Sequence, residues 1–225
     1  MFRRCRAWLS AIAWLCLWAG PAAANDPMFE GGEFTPWVEL SAAQRSSVPG
    51  LERRVVVFVH FTCPFCRAIH PSLKRWSKGL PAGISYEVVP AVGLPSHAAM
   101  ALAYYTVLEV APGKLDAYVE QLFVGLQDQN QPAESPETYI EAARRIGIPR
   151  ETFVRGTQSE SVRRFAMRAQ ALTAAYRLNE VPSVVVGNRY LTAPRRVQNQ
   201  PEAFLAVLNG LVSSVYTAST GAAHR

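Results

Sequence analysis

Residues 60–66 read HFTCPFC: two cysteines separated by a proline and a phenylalanine, at the end of the run RVVVFVHF (54–61). A continuous apolar, β-branched run of that kind predicts a buried central strand. The residues after the pair predict a helix, because Phe65, Ile69, Leu73 and Trp76 recur on one face and Gly79 and Pro81 stop it. The pair therefore sits at a strand–helix junction. Cys63 takes the N-cap and Pro64 the first helical position, where its missing N–H costs nothing. The amides of Phe65 and Cys66 are expected to hydrogen-bond the Cys63 sulfur, and the positive end of the helix dipole adds to them. Both effects favour thiolate over thiol, so Cys63 is expected to be reactive near neutral pH. Cys66, one turn further in, faces the same side and can close a disulfide with Cys63. A ring that small departs from relaxed geometry and is readily reduced. The chemistry predicted at this junction is reversible dithiol–disulfide exchange, with Cys63 meeting the substrate and Cys66 resolving the mixed disulfide.

Two other readings compete. As a structural staple, the pair would close so short a loop that it stabilises little. As a zinc site, His60, Cys63, Cys66 and His70 give H-x2-C-x2-C-x3-H, a metal-like spacing. However, His60 lies on the strand and His70 a full turn beyond Cys66 beside Pro71, so four ligands would struggle to close a tetrahedron. No metal and no cofactor are expected; the redox group is the Cys63–Cys66 pair itself.

Outward from the junction, ISYEVVPAV (84–92) predicts a second strand, and FTPWVEL (34–40) a short edge strand that Pro36 bars from mid-sheet. From about 95 to 178 the chain reads as helical throughout. Stripes run over His97–Val110, Lys114–Leu126, Pro136–Ile146 and Glu160–Leu178, with QDQNQPAESPE (127–137) as a polar loop. VPSVVV (181–186) returns to strand, Gly187-Asn188 makes a two-residue hairpin turn, and RYLT pairs back. A helix from Pro201 to about Val212 closes the chain. The order is an α/β domain: a central mixed sheet flanked by helices, with a βαβ crossover and a helical insertion.

Residues 1–24 read as a cleaved signal peptide. Arg3, Arg4 and Arg6 precede an apolar run, Ala7 to Ala19, and Ala22-Ala23-Ala24 offers a cleavage site before Asn25. The run is roughly thirteen residues, short of the ~20 a membrane-spanning helix needs. Residues 25–225 then form one domain, opening with a loose polar arm to about Gly32. Cys5 and Cys16 leave with the leader, so the expected mature chain keeps Cys63 and Cys66 as its cysteines. The excess of 23 basic over 17 acidic residues falls by three arginines, from +6 to +3, which argues against a nucleic-acid partner. Export places the chain where disulfides persist. The arginines of the insertion (Arg144, Arg145, Arg163, Arg164, Arg168) read as a solvated helical face, and Trp76 and Tyr104 as core.

EVPSVVVGNRY (180–190) puts a proline at the entrance to an apolar strand. In the thioredoxin superfamily such a proline is cis and packs against the C-x-x-C. With FTCPFC, Pro71 five residues past the second cysteine, the helical middle and GIPRETF…EVPSVVVGNRYL, the mature chain resembles the DsbA family of exported thioredoxin-fold oxidases. The resemblance implies a periplasmic enzyme that passes its disulfide to reduced, newly exported polypeptides and is reoxidised by a membrane quinone-linked partner of the DsbB type. It also implies supporting roles for Pro64, Phe65 and Pro182. The backbone of Val181, beside Cys63, would pair with an extended substrate segment as an added strand.

This sequence departs from the family pattern in two ways. Studied oxidases carry histidine where Phe65 stands, so a less extreme oxidant is expected. Val57 occupies the position, six residues before the first cysteine, where these folds often bury an acid. His60 or His70 could supply a proton route in its place, although a satisfied or exposed histidine is the plainer reading of each. Two alternatives to the oxidase stay open: a reductase or isomerase with a less oxidising pair, and a non-enzymatic binder, zinc-linked or chaperone-like.

Overall fold

The computed structural model describes residues 35–223, so the predicted leader and the predicted loose arm lie outside the described residues. In chain order the elements are β1 (Val38–Glu39), α1 (Ala42–Ser47), β2 (Arg54–Val59), α2 (Pro64–Ser77), β3 (Ser85–Pro90), α3 (Ala98–Val110), α4 (Leu115–Phe123), α5 (Pro136–Arg145), α6 (Arg150–Thr157), α7 (Glu160–Ala175), β4 (Ser183–Val186), β5 (Tyr190–Thr192) and α8 (Pro201–Ala223). Among the described residues the strands form one mixed sheet in the order β1-β5-β4-β2-β3. β2 runs parallel to β3 and antiparallel to β4, and β5 is antiparallel to both β4 and β1.

β2 is buried from its second residue on because its sequence past Arg54 leaves nothing polar to solvate. Val55 through Val59 are each at most 2% exposed; all five pair with β3 on one side, and Val55 to Phe58 pair with β4 on the other. The hairpin joining β4 and β5 turns on Gly187 (φ +62°) and Asn188 (φ +52°), the two positive φ values that such a turn needs. Asn188 anchors it: its amide donates to the carbonyls of Arg45 and Val48, and its oxygen accepts the Tyr176 hydroxyl. α8 lies on β4 and against α2, where the Trp76 indole N–H donates to Asn209. The helices α3 to α7 stand between β3 and β4 in the chain. They are tied to the sheet by Thr173 of α7, whose hydroxyl accepts the Val92 N–H.

Several sequence expectations need correction. The segment Arg150–Thr157, within the stretch read as helical but given no stripe of its own, folds as α6. α4 stops at Phe123 and continues as a five-residue π-helical turn, Val124–Asp128, so Gln127 and Asp128 belong to that turn and not to the polar loop. α8 runs on to Ala223. Phe65 does not share the buried stripe of Ile69 and Leu73; it is 57% exposed. Tyr104 is buried as expected, while Trp76 is half-buried. Of the insertion's arginines, Arg144 and Arg145 pair with Glu141, Arg164 pairs with Glu160, and Arg163 is exposed. Arg168 is the exception: it is half-buried and grips Glu87 of β3 with both terminal nitrogens.

Candidate active site

Cys63 caps α2 with extended backbone (φ −83°, ψ 116°) and Pro64 opens the helix, as the C-P order requires. Its sulfur is half-buried, whereas that of Cys66 is buried behind it; both are free thiols. The first-turn amides of Phe65 and Cys66 lie beside the Cys63 sulfur and lower its pKa, as the sequence leads one to expect, although neither closes a cap hydrogen bond of regular geometry. The thiol instead donates to the carbonyl of Val181, 3.4 Å away. The Val181–Pro182 peptide is cis, and Pro182 is buried at the entrance to β4. The structure thus brings Cys63, Cys66, Val181 and Pro182 together, with Pro64 and Phe65 exposed at the mouth of the helix.

The two thiols differ in acidity. Cys63 is lowered from 9.0 to about 6, first by the hydrogen bond from the Cys66 thiol and then by the nearby amides of Cys66 and Phe65, against the opposing effect of burial. The Val181 carbonyl acts in the other direction, since it can accept only from the neutral thiol. Cys66 is pushed well above the ordinary range, first by its hydrogen bond to Cys63 and then by burial. One sulfur is therefore held ready to ionise and its partner held protonated.

A cleft of about 360 Å³ opens beside Cys63, walled by His60, Thr62, His97, Gly93, Glu180 and Val181 among others. The His60 ring hydrogen-bonds the Thr62 hydroxyl (2.6 Å) and meets the His97 ring edge-on, with centroids 4.4 Å apart. Burial, and then the charge of His97, lower the pKa of His60 to about 4, so it is a neutral imidazole here. Its backbone N–H faces the Cys66 sulfur at 3.5 Å. His70 is not on this cleft; it lies along α2 against the Phe123 ring, and burial lowers its pKa. Val57, at the position where an acid was looked for, is 1% exposed. Among the described residues no group of three or more His, Cys, Asp or Glu side chains is arranged to hold a metal ion, so His60, Cys63, Cys66 and His70 do not form the zinc set their spacing suggested.

Sequence reasoning passed over Gln127, Asp128, Thr62 and His97. Gln127 donates to the carbonyls of Phe61 (2.8 Å) and Cys63 (3.1 Å), and Asp128 holds Arg67 of α2 through two bonds of 2.6 and 3.0 Å. No local signal marks them: Gln127 and Asp128 begin a run of polar residues that reads as solvated loop.

A family model described as a DSBA-like thioredoxin domain matches residues 68–206, beginning just past Cys66. The thiol:disulfide interchange protein DsbA of Bordetella parapertussis is 27% identical over 176 residues, covering 78% of this chain and 82% of that one. Its counterpart in Pseudomonas aeruginosa is 28% identical over 185 residues, covering 81% and 83%. Among solved structures, P. aeruginosa DsbA superposes with a TM-score of 0.73 at 23% identity, over 82% of this chain and 94% of that one. The oxidoreductase NmDsbA1 of Neisseria meningitidis superposes with a TM-score of 0.70 at 17% identity, over 84% and 96%.

Proposed function

The chain belongs to the DSBA-like thioredoxin domain family and is a thiol:disulfide oxidoreductase, and from that premise we propose that it donates the Cys63–Cys66 disulfide to reduced, exported polypeptides. A client thiolate attacks the sulfur of Cys63. The Cys63–Cys66 bond breaks, its electron pair goes to Cys66, and Cys66 takes up a proton; client and enzyme are now joined at Cys63. A second client thiolate attacks the client sulfur of that mixed disulfide and expels Cys63 as thiolate. The client loses two electrons and becomes a disulfide, and the pair becomes a dithiol. The redox-active pair is the whole chemical apparatus; no separate cofactor takes part.

The observation that carries this reading is the asymmetry of the pair. A half-exposed sulfur, titrating at about 6, is a good leaving group in the second step. Stabilising that thiolate also stabilises the reduced enzyme, and a couple with a favoured reduced form is an oxidant. The Val181 backbone beside Cys63 supplies an edge on which an extended client segment adds as a strand. Pro64 and Pro182 shape the two sides of the sulfur.

On this reading residues 1–24 are a cleaved leader, residues 25–225 form one thioredoxin-fold domain with a helical insertion over about 95–178, and the enzyme works in the periplasm. A DsbB-type membrane oxidase reoxidises it. The exposed Phe65, which offers no hydrogen bond to the thiolate, supports the second reading, a reductase or isomerase. The redox equilibrium of the pair against glutathione separates the two. An oxidising value is expected, and a thioredoxin-like value would move the assignment to reduction. Should Cys63→Ser oxidise a reduced client as fast as the unaltered protein, the exchange mechanism would be wrong.

A further inference from the structure

The active-site loop is held by the insertion in a way that no step above uses. Gln127, half-buried in the π-helical turn Val124–Asp128, donates from one amide nitrogen to the carbonyls of Phe61 and Cys63, at 2.8 and 3.1 Å. Those carbonyls bracket Thr62, in the short loop that carries the chain from β2 into α2. Asp128 holds Arg67, one turn into α2, with a bidentate ion pair. In a regular α-helix adjacent side chains diverge by about 100°. The wider turn, closed by the Gln129 N–H on the Val124 carbonyl and the Gln131 N–H on Gly125, presents both residues to the base of α2. The loop is also gripped from the insertion at Phe61, whose N–H meets the Met100 sulfur at 3.4 Å and whose ring packs on Tyr104 and Phe123.

We propose that Gln127 is a positioning residue of thiol–disulfide exchange: it fixes the carbonyls on either side of Thr62 and so keeps the Cys63 sulfur both at the mouth of α2 and against Val181. This rests on the reading of Cys63 as the sulfur that meets the client. The position of that sulfur relative to the Cys66 thiol and the first-turn amides follows from the backbone of residues 61–63. A loop released from Gln127 samples positions in which the thiolate has fewer donors. Thiolate formation then needs a higher pH, the leaving group worsens, and the reduced form loses its advantage.

The test uses the mature protein with Gln127→Met, which keeps the side-chain length but removes the donor, and Asp128→Asn, an exposed change that loosens the Arg67 clamp. Three quantities are read: the Cys63 titration by thiolate absorbance, the equilibrium with glutathione, and the thermal midpoint. In Gln127→Met the titration should rise by about one pH unit and the glutathione equilibrium should shift about tenfold toward a weaker oxidant. The thermal midpoint should move little. Asp128→Asn should move the first two in the same direction by less, and it decides the matter if Gln127→Met fails to fold. An unmoved titration and equilibrium would overturn the proposal, and so would lost thermal stability with the titration unchanged. Exchange of Cys66→Ser protein onto a single-cysteine model peptide supplied as its glutathione disulfide, in which the Cys63 thiolate displaces glutathione and stays joined to the peptide, serves as the control. Failure to trap would remove the role of Cys63 itself, whereas trapping with an unmoved Gln127→Met titration would remove only the role of Gln127.

Discussion

The acidity of Cys63 is set by a few neighbours, and each can be removed separately. The hydrogen bond from the Cys66 thiol is the largest cause of the lowering, ahead of the amides. In Cys66→Ala the thiolate absorbance should therefore titrate clearly above about 6, while Cys63 displaces glutathione from a single-cysteine client supplied as its glutathione disulfide and the mixed disulfide persists, because neither Cys66 nor a second client thiol is there to resolve it. A titration still centred near 6 would mean that the helix mouth alone sets the acidity. Phe65 tests the opposite direction. Its ring is 57% exposed, so Phe65→His should cost little in packing and places a donor next to the sulfur. A hydrogen bond to a charged group contributes about 1.5 kcal/mol, so the glutathione equilibrium should move about tenfold toward a stronger oxidant. An unchanged equilibrium would count against side-chain control of the couple at this position. Cys63, Cys66, Val181 and Pro182 were legible as candidates because C-x-x-C and V-P are local patterns whose chemistry depends on spacing. Gln127 and His97 were not: tertiary folding carries them to the site from 64 residues away and from the β3–α3 connection. The exposure of Phe65 was also hidden, since helical periodicity marks a face but not how deeply each residue on it is covered.

At the scale of elements, the β4–β5 hairpin joins local pattern and tertiary packing. Gly187 has φ +62°, and a Cβ there would stand 2.5 Å from a methyl of Val215 on α8 and 3.1 Å from the Glu52 carbonyl. Gly187→Ala therefore meets both left-handed strain and overpacking, a loss of about 2–3 kcal/mol. The shift should appear as a lower midpoint in chemical denaturation with an unchanged slope, and an unaltered midpoint would mean that α8 simply moves aside. This hairpin, β2, β3 and the start of α2 could be read in advance because a continuous apolar run, a Gly-Asn turn and a Cys-Pro cap are self-contained signals. α6 could not. It is eight residues long with a glycine inside it, and Gly156 is there because its Cα lies against α3: a Cβ would come within 2.7 Å of Thr106 and 3.0 Å of Val110. The sequence shows a helix breaker where the fold needs a close crossing. The π-helical turn was hidden for a related reason, since VGLQD carries no pattern that distinguishes it from an ordinary helix end.

For the whole molecule, two titrations should make the stability of the reduced protein depend on pH in separate stages. Cys63 has a folded value of about 6 against an ordinary 9.0. Its contribution is fully present above 9.0 and is lost as pH falls through about 6. His60 has a folded value of about 4 against 6.5, so its contribution is present above 6.5 and is lost as pH falls through about 4. Cys66, pushed upward by its bond to Cys63 and by burial, stays protonated in the fold, so it ionises only in the unfolded chain and begins to oppose the gain from Cys63 as pH approaches 9.0. Acidification of the reduced protein should thus lower its thermal midpoint first between about 9 and 6 and again between about 6.5 and 4. The oxidised protein has no thiol at position 63 and lacks the first stage. The midpoint of the reduced form minus that of the oxidised form should therefore grow as pH rises from 6 and level off as it nears 9. A reduced state that gains stability over its disulfide in this way is what drives the disulfide onto a client. Calorimetry of both redox forms across this range, with His60→Asn to remove the lower stage, measures each part separately. Parallel curves for the two forms between pH 6 and 9 would show that thiolate stabilisation does not power the exchange.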